Sequence, residues 1–560
     1  MKVFLAQQNY HIGDFERNVN KIIDAIEIAK KEEGDLIVFS EMSICGYPAR
    51  DFLDFNDFIN KCYESIEKIK VHADTIGVIV GAPDRNPVKE GKDLFNGAFF
   101  LYEKEIRSIA HKTCLPNYDV FDEYRYFEPA YEWNVIDFKG KKIALTICED
   151  IWNLGDNPLY RVCPMDVLMK QAPDVMINIS ASPFDYTHDE DRKATIKSNV
   201  VKYKIPLIYC NAVGSQTEII FDGASLVFDK DANLCSEFPQ FEEKIKEIIL
   251  NDDGTIDSPV IEPAGSVPGE LLEPLHFNPE LNISQVYNAI ILGIRDYFSK
   301  MGFTKAIIGS SGGIDSAVTI VLACEALGKE NVRAILMPSE YSTSHSVNDA
   351  EQLSKNLGNP YDIIAIKNIY NSFLEELKPV FKDLPFSVAE ENIQARTRGN
   401  LLMAIANKFG YILLNTSNKS ELAVGYGTLY GDMAGGIGVL GDCYKLQVYE
   451  LAKYINLKKE IIPKNIISKA PSAELRPDQK DSDSLPPYEI LDKILYQYVE
   501  KVQGPDEIKK LGFDTALVDR ILKMVNRNEY KRNQFCPIIR ISPKAFGTGR
   551  RLPIVANYLD

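Results

Sequence analysis

Short runs rich in Val, Ile and Leu, each bounded by polar or glycine-rich turns, recur along both halves of this 560-residue chain. Runs of this length and composition predict strands buried on both faces. Amphipathic stretches such as residues 18–31 lie between several of them and predict helices. Two hairpin patterns, 95–112 and 218–238, add antiparallel pairs. The first half is therefore predicted to be an α/β domain with mixed sheets. Its strand runs are 35–41, 77–83, 142–150, 174–180 and 206–213.

Residues 251–283 interrupt this periodicity. The segment carries five prolines and three glycines and has no sustained apolar stripe, which predicts a connection between two domains. We therefore expect domains at 1–250 and 284–560. In the second, strand runs at 305–309, 331–338, 361–366 and 411–417 alternate with helical patterns. That alternation predicts a doubly wound parallel sheet, with ligands at the carboxyl ends of its strands.

The charge balance and the cysteines restrict the partners of the chain. Lys and Arg number 63 against 80 Asp and Glu, a formal charge of −17, which argues against a nucleic acid or an anionic membrane as partner. The ten cysteines are scattered without a C-x-x-C pair, so neither structural zinc nor a disulfide framework is expected. No signal peptide or membrane-spanning run is recognisable. A cytoplasmic protein is predicted.

A glycine-rich loop in the second half has the pattern of an anion site. It follows a predicted strand and opens a predicted helix, so its backbone N–H groups and the helix N-terminus can face a phosphate. Its serines can donate hydrogen bonds, and Asp315 can bind Mg²⁺. The alternative is a tight turn with a serine N-cap. The loop residues are Gly309, Ser310, Ser311, Gly312, Gly313, Ile314, Asp315 and Ser316.

This loop resembles the S-G-G-x-D-S pyrophosphate loop of the ATP pyrophosphatase superfamily, whose domains have an adenine nucleotide alpha hydrolase-like fold and split ATP into AMP and pyrophosphate. Together with the segments 392–398, 415–421 and 431–445 it is similar to the NAD synthetases over residues 285–551. The resemblance implies Mg²⁺ as cofactor and ATP and deamido-NAD as substrates. It implies these contacts: Asp315 and Glu421 to Mg²⁺; loop residues 309–316, Arg396, Thr416 and Lys445 to ATP; Asp432 and Lys531 to deamido-NAD.

Two further features of the second half carry weaker expectations. The run from Gly435 to Gly438 is expected to be a flexible loop. Residues 529–551 carry six basic side chains against a single acid, Glu529. Such a stretch is usually a solvated tail, but a local cationic patch on an acidic protein fits phosphate-rich ligands.

In the first half, three residues stand at the ends of predicted strands or directly after the predicted hairpin. They are Glu41, Lys112 and Cys148. Strand ends bring distant residues to one rim of a sheet. There a thiol can attack an amide if a base takes its proton, while a lysine stabilises the developing oxyanion. Each residue also has a purely structural interpretation when it is considered alone. The cysteine can be a small residue of the core, and the glutamate and lysine can form an ordinary ion pair.

The surrounding segments 39–51, 111–127 and 145–153 resemble the Glu-Lys-Cys segments of the nitrilase-like amidohydrolases, specifically the glutaminase domain fused to glutamine-dependent NAD synthetases. The resemblance covers most of 1–240 and implies an α-β-β-α layered fold. It implies that Glu41 is the general base, Lys112 the oxyanion stabiliser and Cys148 the nucleophile. It further implies that Tyr118, Glu123 and Ser182 position glutamine. Family members commonly show Gly followed by Lys or Arg six residues after that serine, where this chain has Thr187 and His188.

The combined expectation is an enzyme with two sites. Glutamine is hydrolysed in the first half, and ammonia amidates adenylated deamido-NAD in the second. The resemblance also implies an internal ammonia path and a homo-oligomer. Two alternatives stay open: an ATP pyrophosphatase that amidates another carboxylate, of the asparagine or GMP type, or a first half that serves only regulation or assembly.

Overall fold

The computed structural model describes residues 1–154, 158–258, 282–477 and 479–559. The chain divides into two compact units, Met1–Glu270 and Leu271–Asp560. Most of the predicted connection at 251–283 lies outside the described residues, and its bounds stay a prediction. Within the described ranges, no helix combines the length and the apolarity needed to cross a bilayer.

The first unit consists of fifteen described strands and four described α-helices. The strands are β1 Lys2–Gln7, β2 Leu36–Phe39, β3 Gly77–Arg85, β4 Leu94–Tyr102, β5 Glu105–His111, β6 Ile136–Phe138, β7 Lys141–Ile147, β8 Val175–Ser180, β9 Leu207–Asn211, β10 Val213–Gln216, β11 Ile219–Asp222, β12 Leu226–Phe228, β13 Leu234–Glu237, β14 Lys244–Leu250 and β15 Ile256–Asp257. The helices are α1 Phe15–Lys31, α2 Asn56–Lys70, α3 Pro164–Leu168 and α4 His188–Tyr203.

Two sheets pack face to face in this unit. One has seven strands in the order β15-β14-β1-β2-β3-β4-β5, and the other has six in the order β13-β12-β9-β8-β7-β6. The pairs β1–β2, β2–β3, β7–β8 and β8–β9 are parallel, whereas β3–β4 and β4–β5 are antiparallel. The predicted mixture of parallel and antiparallel strands is therefore confirmed, including the hairpin of β4 and β5.

The alternation along β2 shows why this segment is apolar at every position. Leu36 and Val38 belong to the core between the two sheets, whereas Ile37 and Phe39 belong to the core beneath α1 and α2. Successive side chains of a strand point to opposite faces, so a strand covered on both faces is apolar throughout. A separate cluster lies between the second sheet and helices α3 and α4. The layers are helix, sheet, sheet and helix, as predicted.

The second unit consists of five described strands and twelve described α-helices. The strands are β16 Ala306–Gly309, β17 Val332–Leu336, β18 Tyr361–Ile363, β19 Ile412–Asn415 and β20 Ile437–Gly438. The helices are α5 Ile283–Met301, α6 Ile314–Leu327, α7 Ser344–Leu357, α8 Lys367–Phe381, α9 Val388–Phe409, α10 Lys419–Val424, α11 Lys445–Ile455, α12 Lys464–Ser468, α13 Tyr488–Val499, α14 Pro505–Lys510, α15 Thr515–Arg527 and α16 Glu529–Arg532.

The sheet of the second unit has the order β18-β17-β16-β19-β20, and every pair in it is parallel. The predicted doubly wound sheet is confirmed. The strand order reverses direction between β16 and β19, and ligands of such sheets bind in the crevice at that point. The loop that begins at Ser310 and the segment after Asn415 both start there.

The expectation of a flexible loop at residues 435–438 is wrong in part. Ile437 and Gly438 form β20 and pair with Leu414 and Asn415 of β19. The glycines serve close packing, since a Cβ on Gly435 would lie 2.7 Å from the Cβ of Asn415. Glycine inside a strand pattern often marks such a close approach of two backbones.

Candidate active sites

In the first unit, three strand ends bring Glu41, Lys112 and Cys148 into one buried cluster. Glu41 follows β2, Lys112 follows β5 directly and Cys148 follows β7 directly. Their exposed fractions are 2%, 0% and 4%. The ammonium of Lys112 donates a hydrogen bond of 2.8 Å to Oε1 of Glu41.

Glu123, which the resemblance places at glutamine, belongs to this cluster as well. Its Oε1 accepts hydrogen bonds of 2.8 Å from the ammonium of Lys112 and from the hydroxyl of Tyr47. Burial raises the pKa of Glu123 to about 7, although Lys112 opposes the shift. Burial alone lowers the pKa of Lys112, but the carboxylates of Glu123 and Glu41 outweigh it and raise that pKa well above its usual value. Lys112 is therefore a permanent cation between two carboxyl groups.

The carboxylate of Glu41 is held in place from three sides. Besides Lys112, the side-chain amide of Asn96 donates to Oε1 at 2.7 Å, and the backbone N–H of Ala181 donates to Oε2 at 2.9 Å. No pattern in the sequence pointed to Asn96, which lies inside β4. These three donors fix the carboxylate at the rim of the sheet, where it can act as a base.

Cys148 opens a short 3₁₀ turn, and its φ of +44° lies in the left-handed region that non-glycine residues seldom adopt. Strained residues of this kind cluster at active sites. Burial, together with the nearby carboxylate of Glu41, raises the pKa of the thiol well above its ordinary value. The resting thiol is therefore protonated at neutral pH, and a reaction through it requires a base.

Asp150 connects the segments that carry Lys112 and Cys148. Its Oδ1 accepts hydrogen bonds of 2.9 Å from the backbone N–H groups of Thr113 and Cys114. Its Oδ2 accepts one of 3.0 Å from the N–H of Ile147. One buried carboxylate thus joins the chain just after the lysine to the chain just before the cysteine.

Tyr118 and Ser182, the predicted glutamine contacts, lie before and after the turn of Cys148 in the sequence. Each of them has a polar partner. The Tyr118 hydroxyl donates to both oxygens of Glu149, at 3.0 and 3.1 Å. The Ser182 hydroxyl lies 2.9 Å from Nε2 of His188, whose ring stacks on Trp152 at a centroid distance of 5.0 Å. His188, at the position where family members commonly have Lys or Arg, is thus in contact with a predicted site residue.

In the second unit, the glycine-rich loop borders a cavity of about 280 Å³, which we call the loop cavity. Its lining includes nearly all of the predicted loop residues and several predicted residues from later segments. The predicted residues that line it are Gly309, Ser310, Ser311, Gly313, Ile314, Asp315, Ser316, Thr416, Glu421, Asp432 and Lys445.

The loop has its shape because Gly312 has a φ of +76° and a Cβ there would lie 2.2 Å from the backbone oxygen of Ser346. Only glycine fits that position. The hydroxyl of Ser311 accepts from the N–H of Gly313 at 3.2 Å and lies 3.2 Å from the hydroxyl of Ser316. The loop thus brings N–H groups and hydroxyls to the start of α6, a pattern suited to binding an anion.

Asp315, Glu421 and Lys445 meet in the loop cavity. The ammonium of Lys445 lies 2.5 Å from Oδ2 of Asp315 and 3.5 Å from Oε1 of Glu421. Burial, together with the charge of Asp315, raises the pKa of Glu421 to about 8, although Lys445 opposes the shift. Facing carboxylates attract a cation.

The donor set fits Mg²⁺. This ion prefers oxygen ligands and is commonly held by one or two carboxylates plus substrate phosphates and water. Across the described ranges, no group of three or more His, Cys, Asp or Glu residues is arranged to hold a metal. A magnesium ion held by Asp315 and Glu421 therefore needs the phosphates of a nucleotide to complete its coordination.

One arginine predicted for the nucleotide lies elsewhere. Arg396 is exposed, its Nε donates to the backbone oxygen of Leu429 at 3.2 Å, and it is not among the described residues that line the loop cavity. Arg398 does line the cavity, and its Nε donates to the oxygen of Met337 at 3.1 Å. The arginine that faces the cavity is therefore the one two positions later.

The basic residues near the end of the chain are mostly engaged inside the protein. Arg532 is 8% exposed and donates to the oxygens of Leu422 and Ala423 and to Glu529. Arg550 also donates to Glu529, at 3.0 Å. The interpretation of a cationic patch does not hold for these arginines, because they satisfy buried carbonyls and a carboxylate.

Lys531, predicted to contact deamido-NAD, donates to the backbone oxygens of Gly425 and Gly427 at 2.8 and 3.0 Å. Burial lowers its pKa, and the charge of Asp432 opposes that shift. The two residues predicted for this substrate are therefore electrostatic neighbours, although only Asp432 is among the described residues that line the loop cavity.

Comparisons with known proteins assign both units to families. Residues 2–252 match the carbon-nitrogen hydrolase family, and residues 286–535 match the NAD synthase family. The glutamine-dependent NAD(+) synthetase of Synechocystis sp. is 42% identical over 563 residues, which are 99% of each chain. The one from Thermotoga maritima is 41% identical over 582 residues, covering 100% of this chain and 99% of the relative.

A solved structure agrees over the same length. The glutamine-dependent NAD+ synthetase from Acinetobacter baumannii, in complex with ADP, has a TM-score of 0.77 and 36% identity, and the match covers 99% of this chain and 98% of that one. Each of these relatives therefore matches both units of this chain.

Proposed function

The chain belongs to the family of glutamine-dependent NAD(+) synthetases, and we propose that its two clusters divide the reaction between them. Glutamine is the nitrogen source, and NAD is the product. Glutamine hydrolysis is assigned to Cys148 and its neighbours, and amidation of deamido-NAD to the loop cavity. The observation that carries this proposal is the ammonium of Lys112 between Glu41 and Glu123 beside a buried thiol.

In the first unit, Glu41 takes the thiol proton of Cys148 as the sulfur bonds to the amide carbon of glutamine. The ammonium of Lys112 and the N–H of Glu149 stabilise the resulting oxyanion. The C–N bond then breaks, and ammonia leaves with the proton from Glu41. Water, deprotonated by Glu41, hydrolyses the thioester and frees glutamate and the thiol.

Three residues are proposed to place glutamine for this attack. Tyr118 and Ser182 are assigned to substrate contacts, as the resemblance implies. Glu123 is assigned a further role, because its bond to Lys112 fixes the ammonium and compensates its charge in a dry site. His188 holds the hydroxyl of Ser182 in place of the usual cationic residue.

In the second unit, the carboxylate of deamido-NAD attacks the α-phosphorus of ATP and expels pyrophosphate. Ammonia then attacks the carbonyl of the mixed anhydride and displaces AMP. The loop residues 309–316, Thr416 and Lys445 are proposed to hold the phosphates, with Arg398 as the cavity-facing alternative to Arg396. Asp432 and Lys531 are assigned to deamido-NAD. Catalysis here consists of positioning and charge neutralisation.

We propose that Asp315 and Glu421 hold Mg²⁺ together with the phosphates of ATP. When bound, this ion neutralises charge on the phosphate oxygens. In the protein alone, Lys445 compensates the same two carboxylates. All ten cysteines are free thiols, which supports a reducing compartment such as the cytoplasm. Assembly into a homo-oligomer stays a prediction.

The test is the Cys148→Ala variant assayed with two nitrogen donors. NAD synthesis from glutamine should be abolished, whereas synthesis from ammonium chloride should continue at the wild-type rate. Loss of both activities, or of neither, contradicts the division of labour. Deamido-NAD assayed against aspartate and xanthosine monophosphate, with AMP release as readout, separates this function from the other amidating enzymes.

A further inference from the structure

Asn418 contacts both of the carboxyl groups that are assigned to Mg²⁺. It is fully buried and directly precedes α10, as the N-cap of that helix. Its side-chain oxygen accepts a hydrogen bond of 2.9 Å from the N–H of Glu421, and its own N–H donates to Oε2 of Glu421 at 3.3 Å. This reciprocal pair is a capping box, which holds the side chain of the third helical residue against the start of the helix.

The amide nitrogen of Asn418 makes the second contact. It donates a hydrogen bond of 2.9 Å to Oδ1 of Asp315, 103 positions earlier in the sequence. The two partners determine the orientation of the amide, because a backbone N–H can only donate whereas a carboxylate oxygen accepts. Aspartate and serine cap helices as well as asparagine does, but only the amide offers an acceptor and a donor on separate atoms. Capping alone therefore does not account for this residue.

Each of the two carboxylates has one oxygen at Asn418 and the other toward Lys445. Asn418 binds Oδ1 of Asp315 and Oε2 of Glu421. The ammonium of Lys445 lies 2.5 Å from Oδ2 of Asp315 and 3.5 Å from Oε1 of Glu421. A neutral amide thus orients both groups so that their other oxygens face the same positive charge. Two like charges at close range repel each other, so they need such a restraint to stay together.

We propose that Asn418 positions Asp315 and Glu421 for the cation that they bind together with ATP. The inference rests on the proposed assignment of these two carboxylates to Mg²⁺. Asn418 is a positioning residue, because its oxygen and its nitrogen are both engaged in holding the carboxylates. Mg²⁺ requires nearly ideal octahedral coordination, so its affinity depends on where each ligand oxygen is held. Loss of a residue that orients metal ligands typically weakens metal binding by about 10–100-fold.

The experiment measures metal binding and AMP formation in the full-length enzyme. Mn²⁺ is the probe, α,β-methylene ATP supplies the phosphates, and electron paramagnetic resonance measures the free ion. Asn418→Ser keeps an N-cap acceptor for Glu421 but is too short to reach Asp315. It should raise the dissociation constant of Mn²⁺ by about 10–100-fold. The Mg²⁺ concentration that gives half-maximal AMP formation should rise as well, and excess Mg²⁺ should restore part of the rate.

Asn282→Ala is the matched control. Asn282 is exposed and caps α5, where its side-chain oxygen accepts from the N–H of Ser284 at 3.1 Å. The variant removes a helix cap of the same kind and should keep the wild-type dissociation constant of Mn²⁺ and the wild-type Mg²⁺ requirement. Asn418→Thr, with another short capping side chain, should repeat the loss seen in Asn418→Ser.

Three results would overturn the inference. The first is wild-type affinity for Mn²⁺ in both Asn418 variants. The second is slower AMP formation with unchanged metal affinity, since a merely structural role acts in that way. The third is loss of binding of the ATP analogue without metal, which would show that the whole loop is disrupted. Asp315→Asn separates this inference from the proposed function: if that variant binds Mn²⁺ as tightly as the wild type, the assignment of the metal site itself fails.

Discussion

The ammonium of Lys445 lies 2.5 Å from a carboxylate oxygen of Asp315, 130 positions away in the sequence. Asp315 stands in the first turn of α6, after β16, and Lys445 is the first residue of α11, after β20. Parallel strands end at the same edge of a sheet, so α6 and α11 both start at that edge, although β19 lies between β16 and β20. The doubly wound topology thus brings the two residues to one edge despite their distance in the sequence.

Replacing Asp315 with Asn should abolish AMP formation with either nitrogen donor. The variant removes a ligand for the cation that neutralises the phosphates, and we expect a loss of at least about 100-fold, equivalent to about 3 kcal/mol in the barrier. Glutamine hydrolysis in the first unit should persist. The matched control is Asp362→Asn, which removes a carboxylate on β18 that pairs with Arg333 of β17 and should leave AMP formation intact. An unaffected rate in the Asp315 variant would remove its proposed metal role.

The shape of the glycine-rich loop can be tested by adding one methyl group. In Gly312→Ala the new Cβ would lie 2.2 Å from the oxygen of Ser346, so the loop must move. AMP formation should fall at least about 100-fold, because small displacements of positioning groups are that costly. Gly302→Ala is the control: its φ of +73° carries the same backbone cost of about 1 kcal/mol, but no atom lies near the added carbon. Equal effects of the two variants on AMP formation would contradict the loop's positioning role.

Most strands of the sheets could be predicted, because the residues that indicate a strand lie within the strand or directly beside it in the sequence. Strands covered on both faces are apolar throughout, as β2 and β16 are, and a strand followed by glycines and a helix places a loop such as 309–316 at the carboxyl edge. β20 was missed because its two residues lie in a glycine run whose role depends on the neighbouring β19. Tertiary packing decided that segment, and no local pattern encodes it.

The positions of site residues could be predicted where a residue follows a strand. They were harder to predict where a residue lies on a helix or in a loop. Arg396 and Arg398 are both in α9, and two positions correspond to about 200° around a helix. They therefore face opposite sides, and the sequence does not say which side meets the cavity. Glu123 was expected at the substrate, but its bond to Lys112 depends on how a loop folds back over the sheet.

Asp150 is predicted to position the two catalytic segments of the first unit. Asp150→Asn replaces one acceptor oxygen by a donor that faces a backbone N–H, so the lysine and cysteine segments should shift relative to each other. We expect kcat for glutamine hydrolysis to fall about 10–100-fold with little change in KM. Asp166→Asn, at a carboxylate that accepts from Tyr203 and pairs with Lys202, is the control and should keep both constants. A change confined to KM would contradict a positioning role.

The raised pKa of the Cys148 thiol predicts how the free enzyme reacts with iodoacetamide. Below its pKa, the thiolate fraction of a cysteine grows about tenfold per pH unit, so alkylation of Cys148 should rise steadily from about pH 6.5 to about 8.5. Glu41→Gln removes a negative charge that raises this pKa. It should therefore accelerate alkylation at pH 7 while abolishing glutamine hydrolysis. Mass spectrometry of the Cys148 peptide measures the rate of alkylation in the wild type and in the variant. A plateau below pH 8 in the wild type would show a thiolate already formed at rest.

Ammonia released by Cys148 should reach the amidation step without mixing with the solvent. Ammonia at neutral pH is mostly ammonium, which is not nucleophilic, so free release would waste most of the product. With ¹⁵N-amide glutamine and an excess of unlabelled ammonium chloride, NAD should carry the label almost undiluted, with one glutamate formed per NAD. Cys148→Ala in the same mixture should give unlabelled NAD, which shows that the second unit can use ammonia from solution. NAD from the wild type diluted to the isotope ratio of the solvent would show that the two reactions are not coupled.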